Sequence, residues 1–237
     1  MKNAEYIKNK LCKLNLEADD SQCEQLADFY EMLIRKNEVM NLTAITEFPD
    51  VVEKHFMDSL AFRPEKEEAV LIDVGTGAGF PGIPLKIMYP KLQITLMDSL
   101  NKRLVFLQEV IGQLGLSGIR TVHGRAEDLG RDREYREQYD YCVSRAVANL
   151  STLSEYCLPF VKTGGYFVSY KSGKSEEELK AAEYAFHVLS GKFCKAEVFT
   201  IPDTEMERSL IWIKKSAPMS HKYPRKAGIP SKEPLHA

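Results

Sequence analysis

Leu71-Ile-Asp-Val-Gly-Thr-Gly-Ala-Gly-Phe-Pro-Gly82 joins a short apolar run to three glycines at alternate positions. The run Val70 to Val74 has the branched composition of a buried strand. Gly75, Gly77 and Gly79 then let the main chain turn tightly and approach a ligand with no side chain between them. A helix starting near Gly82 would present its free N–H groups beside that turn. A strand, a glycine turn and a helix together predict one unit of an α/β protein with a parallel sheet.

Two ligand classes suit such a turn. Gly77, Gly79 and Gly82 satisfy G-x-G-x-x-G, which points to a dinucleotide and a nicotinamide oxidoreductase. Two neighbouring features favour a different ligand. Asp73 closes the strand, where a carboxylate can face a cationic amino-acid group. Pro81 and Pro84 remove N–H donors that would otherwise hold a pyrophosphate. S-adenosylmethionine carries an ammonium and a sulfonium and no phosphate, and it is the expected cofactor. Asp98 stands 25 residues after Asp73 at the end of the next apolar strand, where an acid accepts from ribose hydroxyls. With Ser99 it also suits the cap of a helix starting near Asn101, and the two roles are compatible. Ala126 and Glu127 follow a third strand, where they could line an adenine pocket or form an ordinary solvated loop.

Outward from the glycine turn, strands are expected at Val70 to Val74, Gln93 to Asp98, Arg120 to Val122, Tyr139 to Ser144 and Tyr166 to Tyr170. Two more are expected near Ala196 to Ile201 and Ser209 to Lys214. Helices are expected at Asn101 to Leu114, Leu150 to Leu158 and Ser175 to Leu189. This alternation predicts a mostly parallel seven-stranded sheet with helices on both faces. The last two strands have no helix between them, so they should form an antiparallel hairpin at one edge. The first sixty residues read as helical. Leu26, Phe29, Tyr30, Leu33 and Ile34 form one apolar face of a helix from Ser21 to Met40, and a second runs from Pro49 to Pro64. The expected organisation is an N-terminal helical extension (1–64), a cofactor-binding domain (65–215) and a basic C-terminal tail (216–237).

The 237 residues are 44% hydrophobic and 28% charged, as in an ordinary globular protein. No apolar run approaches the roughly 18 residues of a membrane span, and the first twenty residues lack a secretory apolar stretch, so a cytoplasmic protein with no membrane partner is expected. The cysteines Cys12, Cys23, Cys142, Cys157 and Cys194 are scattered and lack a C-x-x-C pair, which predicts reduced core thiols and no metal site. Net charge is −2, yet Lys214 to Ala237 carries six Lys or Arg against one acid. Such a tail suits a polyanion.

Taken in order, Asn41-Leu-Thr43, His55-Phe-Met-Asp-Ser59, Asp73 to Gly82, Asp98-Ser-Leu-Asn-Lys-Arg103, Ser144-Arg-Ala146 and Tyr223-Pro-Arg-Lys226 resemble the glucose-inhibited division protein B family over nearly the whole chain. The resemblance implies a class I (Rossmann-like) methyltransferase fold with S-adenosylmethionine as donor. It implies N7 of a guanine in 16S ribosomal RNA, near the decoding centre, as acceptor, presented as RNA or within the small ribosomal subunit. The cofactor set is Asp73, Gly75, Gly77, Gly79, Phe80, Asp98, Ser99, Ala126, Glu127 and Arg145. The catalytic and acceptor-side set is Asn41, His55, Arg145 and Lys171, with Asp58 and Ser59 beside them. The chain departs from the family after the fifth strand, where Tyr170-Lys171-Ser172-Gly173 replaces Leu-Lys-Gly.

Guanine N7 has a free lone pair and no proton, so methyl transfer to it requires no general base. An arginine at N7 would oppose the cation formed there, whereas one at O6 or a flanking phosphate would orient the base. Arg145 therefore reads as a positioning group or a structural ion pair, and His55 as an acceptor contact or a packed histidine. A non-enzymatic RNA-binding module remains the alternative in which the glycine turn has no ligand. Nothing in the sequence requires an oligomer, and a monomer is expected.

Overall fold

The computed structural model describes residues 2–145, 148–173 and 175–236; Ala146 of the Ser144 to Ala146 segment lies outside them. Helix α1 (Lys2–Lys13) precedes α2 (Asp20–Met40). The Asp19 carboxylate accepts from the Gln22 amide, and the Gln22 side chain accepts from the Asp19 amide, a reciprocal cap that fixes the start of α2. The helix stops where Asn41 turns left-handed at φ 48°, a conformation Asn tolerates. The Asn37 side chain then accepts from the Leu42 and Thr43 amides. A short α3 (Phe48–Val51) widens into a π-helix over Val52–Met57, where the sequence pattern predicts an ordinary helix.

The sheet contains β1 (Val70–Val74), β2 (Gln93–Asp98), β3 (Ile119–His123), β4 (Tyr139–Ser144), β5 (Val161–Ser172), β6 (Gly191–Thr200) and β7 (Glu207–Lys215). Between them lie α4 (Gly82–Met88), α5 (Asn101–Gln113), α6 (Ala126–Leu129), α7 (Leu150–Cys157) and α8 (Glu176–Val188). The strand order is β3-β2-β1-β4-β5-β7-β6. The first five strands are parallel, and β7 runs antiparallel to both β5 and β6. The expected hairpin is present, with β6 outermost.

Alternation along each strand separates two cores, because successive side chains leave opposite faces. Leu71, Leu96 and Val143 join the N-terminal helices, α4 and α5 in one cluster. Ile72, Met97 and Cys142 join α7, α8 and the C-terminal segment in the other. The strand order turns back between β1 and β4, and in open α/β sheets ligands bind beyond the strand ends at that point.

One expectation is corrected here. Cys23, Cys142 and Cys157 are buried thiols, but Cys12 and Cys194 are exposed. The basic C-terminal segment packs on the domain. Met219, Tyr223, Pro230 and Leu235 are buried, so its apolar residues dock it against the sheet's second face.

Candidate functional site

The glycine turn is held from beneath. Asp73 is fully buried; its Oδ2 accepts from Thr76 Oγ1 at 2.7 Å and from the Gly82 amide at 2.9 Å. Its Oδ1 has no partner, and burial lifts the carboxyl to about pKa 7. Gly75, Gly77 and Gly79 all have positive φ, at 74°, 60° and 100°, which side chains rarely adopt. A Cβ on Gly79 would meet Ile83 and Leu107 at 2.8 Å, and one on Gly82 would run into Leu96, so these two glycines seat the helix against the sheet. At Gly77 the nearest atom would be Gly75 O at 3.9 Å; that position is open. The amides at the start of α4 are already engaged, Gly82 with Asp73 and Ile83 with the Gly79 carbonyl. Pro84 has none, so this helix start offers little to a pyrophosphate.

A cleft of about 850 Å³ opens above the ends of β1, β2 and β4, within the roughly 300–1,000 Å³ of small-molecule sites. Gly75, Asp98, Ser99, Ala126, Glu127 and Arg145 lie on its wall. Asp98 is 3% exposed. Its Oδ1 accepts from the Leu100 amide at 2.8 Å, and its Oδ2 accepts from the Gly77 amide at 3.0 Å and lies 3.3 Å from Arg103. Oδ1 keeps a lone pair for a hydroxyl. The open backbone at Gly77 and this carboxylate together fit the ribose and amino-acid halves of S-adenosylmethionine.

The opposite wall comes from the N-terminal helices. The Arg145 guanidinium donates to Asp58 Oδ2 at 3.0 Å and to the Lys54 carbonyl at 3.3 Å, a group presented by the π-helix. Its Nη2 lies 3.2 Å from His55 Nδ1. His55 Nδ1 also lies 3.2 Å from the Lys54 carbonyl, and Nε2 lies 2.9 Å from Thr43 Oγ1. Burial, and then the Arg145 charge, lower the His55 pKa to about 4, so the ring is neutral. The ring stacks on Phe80 at 4.6 Å, and Arg145 lies 5.0 Å from the same phenyl centroid. Thr43 Oγ1 accepts from the Ile45 amide, which leaves its own hydroxyl proton to donate. Burial raises the Asp58 carboxyl; Arg145, with Arg208 at 3.7 Å, opposes that shift.

The structure thus brings Phe80, His55, Asp58 and Arg145 together around the glycine turn. It does not bring in three other candidates. Asp73 lies beneath the turn, bonded to the Thr76 hydroxyl and the Gly82 amide, and is not on the cleft wall. Asn41 is exposed at the end of α2, off the cleft wall. Lys171 lies 2.6 Å from Glu178 Oε1 and 2.7 Å from the Ala148 carbonyl; the same carboxylate accepts from the Leu150 amide, so this pair anchors the start of α7. Ser59 donates to the His55 carbonyl and stays buried. Sequence reading missed Thr43, Tyr156, Arg208, Gly228 and Ser231. The last four line the cleft from elements distant in sequence, with no motif to mark them.

Residues 22–210 match the family model for rRNA small subunit methyltransferase G. The chain is 52% identical over 236 residues to the ribosomal RNA small subunit methyltransferase G of Lachnoclostridium phytofermentans, covering 98% of this chain and 97% of that protein. It is 50% identical over 238 residues to the protein of the same name from Alkaliphilus metalliredigens, covering 99% of this chain and 100% of that one. Among solved structures it resembles the Methanococcus jannaschii fibrillarin pre-rRNA processing protein, with TM-score 0.51, 14% identity and coverage of 66% of this chain and 70% of that one. It also resembles M. jannaschii TYW2 in complex with AdoMet, with TM-score 0.50, 17% identity and coverage of 67% and 73%. At such identities these likenesses establish a Rossmann-like methyltransferase fold. No helix among the described residues is long and apolar enough to cross a membrane.

Proposed function

The chain belongs to the rRNA small subunit methyltransferase G family, and on that premise we propose that it methylates N7 of a guanine in 16S ribosomal RNA near the decoding centre. S-adenosylmethionine supplies a sulfonium-bound methyl that a nucleophile can displace in line. The main chain of Gly75 to Gly79 would hold the amino-acid half, Asp98 and Ser99 the ribose side, and Ala126 with Glu127 the adenine. The guanine N7 lone pair forms the new bond as the sulfur–methyl bond breaks, positive charge passes to the base, and S-adenosylhomocysteine leaves. No proton moves, so no base is required.

One observation carries this reading: His55, Asp58 and Arg145 line the same cleft as Gly75 and Asp98, with Arg145 bonded to Asp58 and 3.2 Å from the His55 ring. Arg145 is paired with Asp58, so it can orient a base or phosphate without opposing the new ring cation as a bare charge would. Phe80 supports both Arg145 and His55 from below. Holding the reacting atoms in line can remove roughly 7–11 kcal/mol of barrier. The protein would act in the cytoplasm as a monomer on 16S ribosomal RNA or the small subunit.

Incubation with labelled methyl donor and unmodified small-subunit particles, followed by strand scission at N7-methylguanine, tests the reading. A single scission in 16S RNA is expected. Label on a ribose or an exocyclic amine would overturn the N7 assignment.

A further inference from the structure

The C-terminal segment after β7 reaches back across the molecule to the cofactor cleft. Arg136 is 8% exposed and gathers three of its carbonyls: Tyr223 at 2.9 Å, Met219 at 3.0 Å and Ser220 at 3.2 Å. Arg225 grips Glu155, which is 1% exposed, through Nη2 at 2.7 Å and Nε at 3.0 Å, and the Arg225 amide donates to the same carboxylate at 2.7 Å. Thr152 donates to the Pro230 carbonyl at 2.9 Å. Between these anchors Gly228, at φ 82°, opens the last helix α9 (Ile229–Lys232), and its amide donates to Glu127 Oε1 at 2.8 Å. Gly228 and Ser231 stand on the cleft wall beside Glu127.

We propose that residues 217–236 form a strap that completes the cofactor site, with Gly228 as a positioning residue that aims the Glu127 carboxylate at the exocyclic amine of the donor's adenine. The inference rests on the S-adenosylmethionine reading above and deepens it. Glu127 is 5% exposed and one of its oxygens is taken by the strap, so its second oxygen has a fixed direction. A carboxylate held in that way accepts from the adenine N6 amine. It repels the O6 carbonyl of hypoxanthine, which offers no proton there. The strap therefore acts on the choice of purine as well as on affinity.

The test is calorimetric titration of the full-length chain with S-adenosylhomocysteine and with S-inosylhomocysteine. Wild-type protein should prefer the adenosyl compound by more than about tenfold, the range of a hydrogen bond to a charged group. Gly228→Ala adds a Cβ with nothing within 4 Å, so it strains only the left-handed backbone that aims the amide. It should cut the preference at least about threefold. Arg225→Ala releases the strap and should do the same, and in a Glu127→Gln background Gly228→Ala should have no further effect on the preference. Equal weakening for both ligands, with the preference intact, would make the strap a mere wall and overturn the proposal. Failure of wild-type protein to bind S-adenosylhomocysteine would instead refute the cofactor reading itself. Thermal melting of each variant separates unfolding from either result, and a Gly228→Ala protein that melts normally with an unchanged preference also overturns it.

Discussion

Asp73 is buried beneath the glycine turn and His55 is half-buried on the cleft wall, and they titrate in opposite senses. Burial lifts the Asp73 carboxyl from 3.8 to about 7 against the opposing bonds from Thr76 and Gly82. A carboxyl raised in the folded state stabilises the fold while protonated. Its contribution is full below pH 3.8 and is lost as pH rises through 7. Burial, then Arg145, depresses His55 from 6.5 to about 4, so its contribution is full above pH 6.5 and is lost as pH falls through 4. Across pH 4.5 to 6.5 the two slopes oppose, each up to about 1.4 kcal/mol per pH unit. Relative to wild type, Asp73→Asn should gain stability with rising pH and His55→Gln should lose it. Urea unfolding at five pH values checks this, and three parallel profiles would contradict both assignments. Gly77 allows a sharper test. Its Cβ position is open, but φ is 60° and its amide bonds Asp98. Gly77→Asp should fold with a loss of about 1–2 kcal/mol from the left-handed backbone. It should lower affinity for S-adenosylhomocysteine more than about tenfold, because a second carboxylate meets Asp98 at the ligand face. Unchanged affinity would remove the glycine turn from the cofactor site.

Gln22 links two helices that lie apart in sequence. As the third residue of α2 it closes the cap with Asp19, and its amide nitrogen donates to the Ile87 carbonyl at 2.9 Å at the end of α4. Gln22→Ala should therefore cost about 1–2 kcal/mol, more than the cap alone, while S-adenosylhomocysteine affinity stays within about twofold. Chemical denaturation paired with titration separates the two effects. The helix start was legible only to within a residue or two, since Asp20 or Ser21 reads as its cap and Asp19 makes it, whereas β1, β2 and β4 match their apolar runs residue for residue. Less was legible where distant partners decide. The sequence predicts Tyr166 to Tyr170, yet β5 runs Val161–Ser172 because β4 and β7 pair along it. The π turn under His55 has no local sequence signal, since its widened carbonyls are stabilised by Arg145, ninety residues away. Asn41 shows the converse. Its place beside a motif suggests chemistry, and the structure sets it in a left-handed turn that closes α2, off the cleft wall.

Charge on the C-terminal segment reads differently once its folding is known. Lys215 is fully buried 3.0 Å from Glu137, and Arg225 is committed to Glu155, so two of the six cations counted there are neutralised internally. Lys222, Lys226 and Lys232 remain exposed on the strap. Composition gives total charge, but only packing separates cations that hold the protein together from those that can meet phosphate. Deleting the segment would strip the partners of Glu155 and Glu127 and confuse cofactor binding with RNA binding. Replacing the three exposed lysines by alanine leaves the anchors in place. If all three meet phosphates, each contact releases about 0.7 of a counterion from single-stranded RNA, and the slope of log affinity against log salt should fall by about 2. Titration of a 16S RNA fragment between 50 and 200 mM salt measures that slope, with S-adenosylhomocysteine affinity as the control for an intact strap. A slope equal to that of wild type, with cofactor affinity unchanged, would confine the strap to the cofactor side and place the RNA-binding charge elsewhere on the molecule.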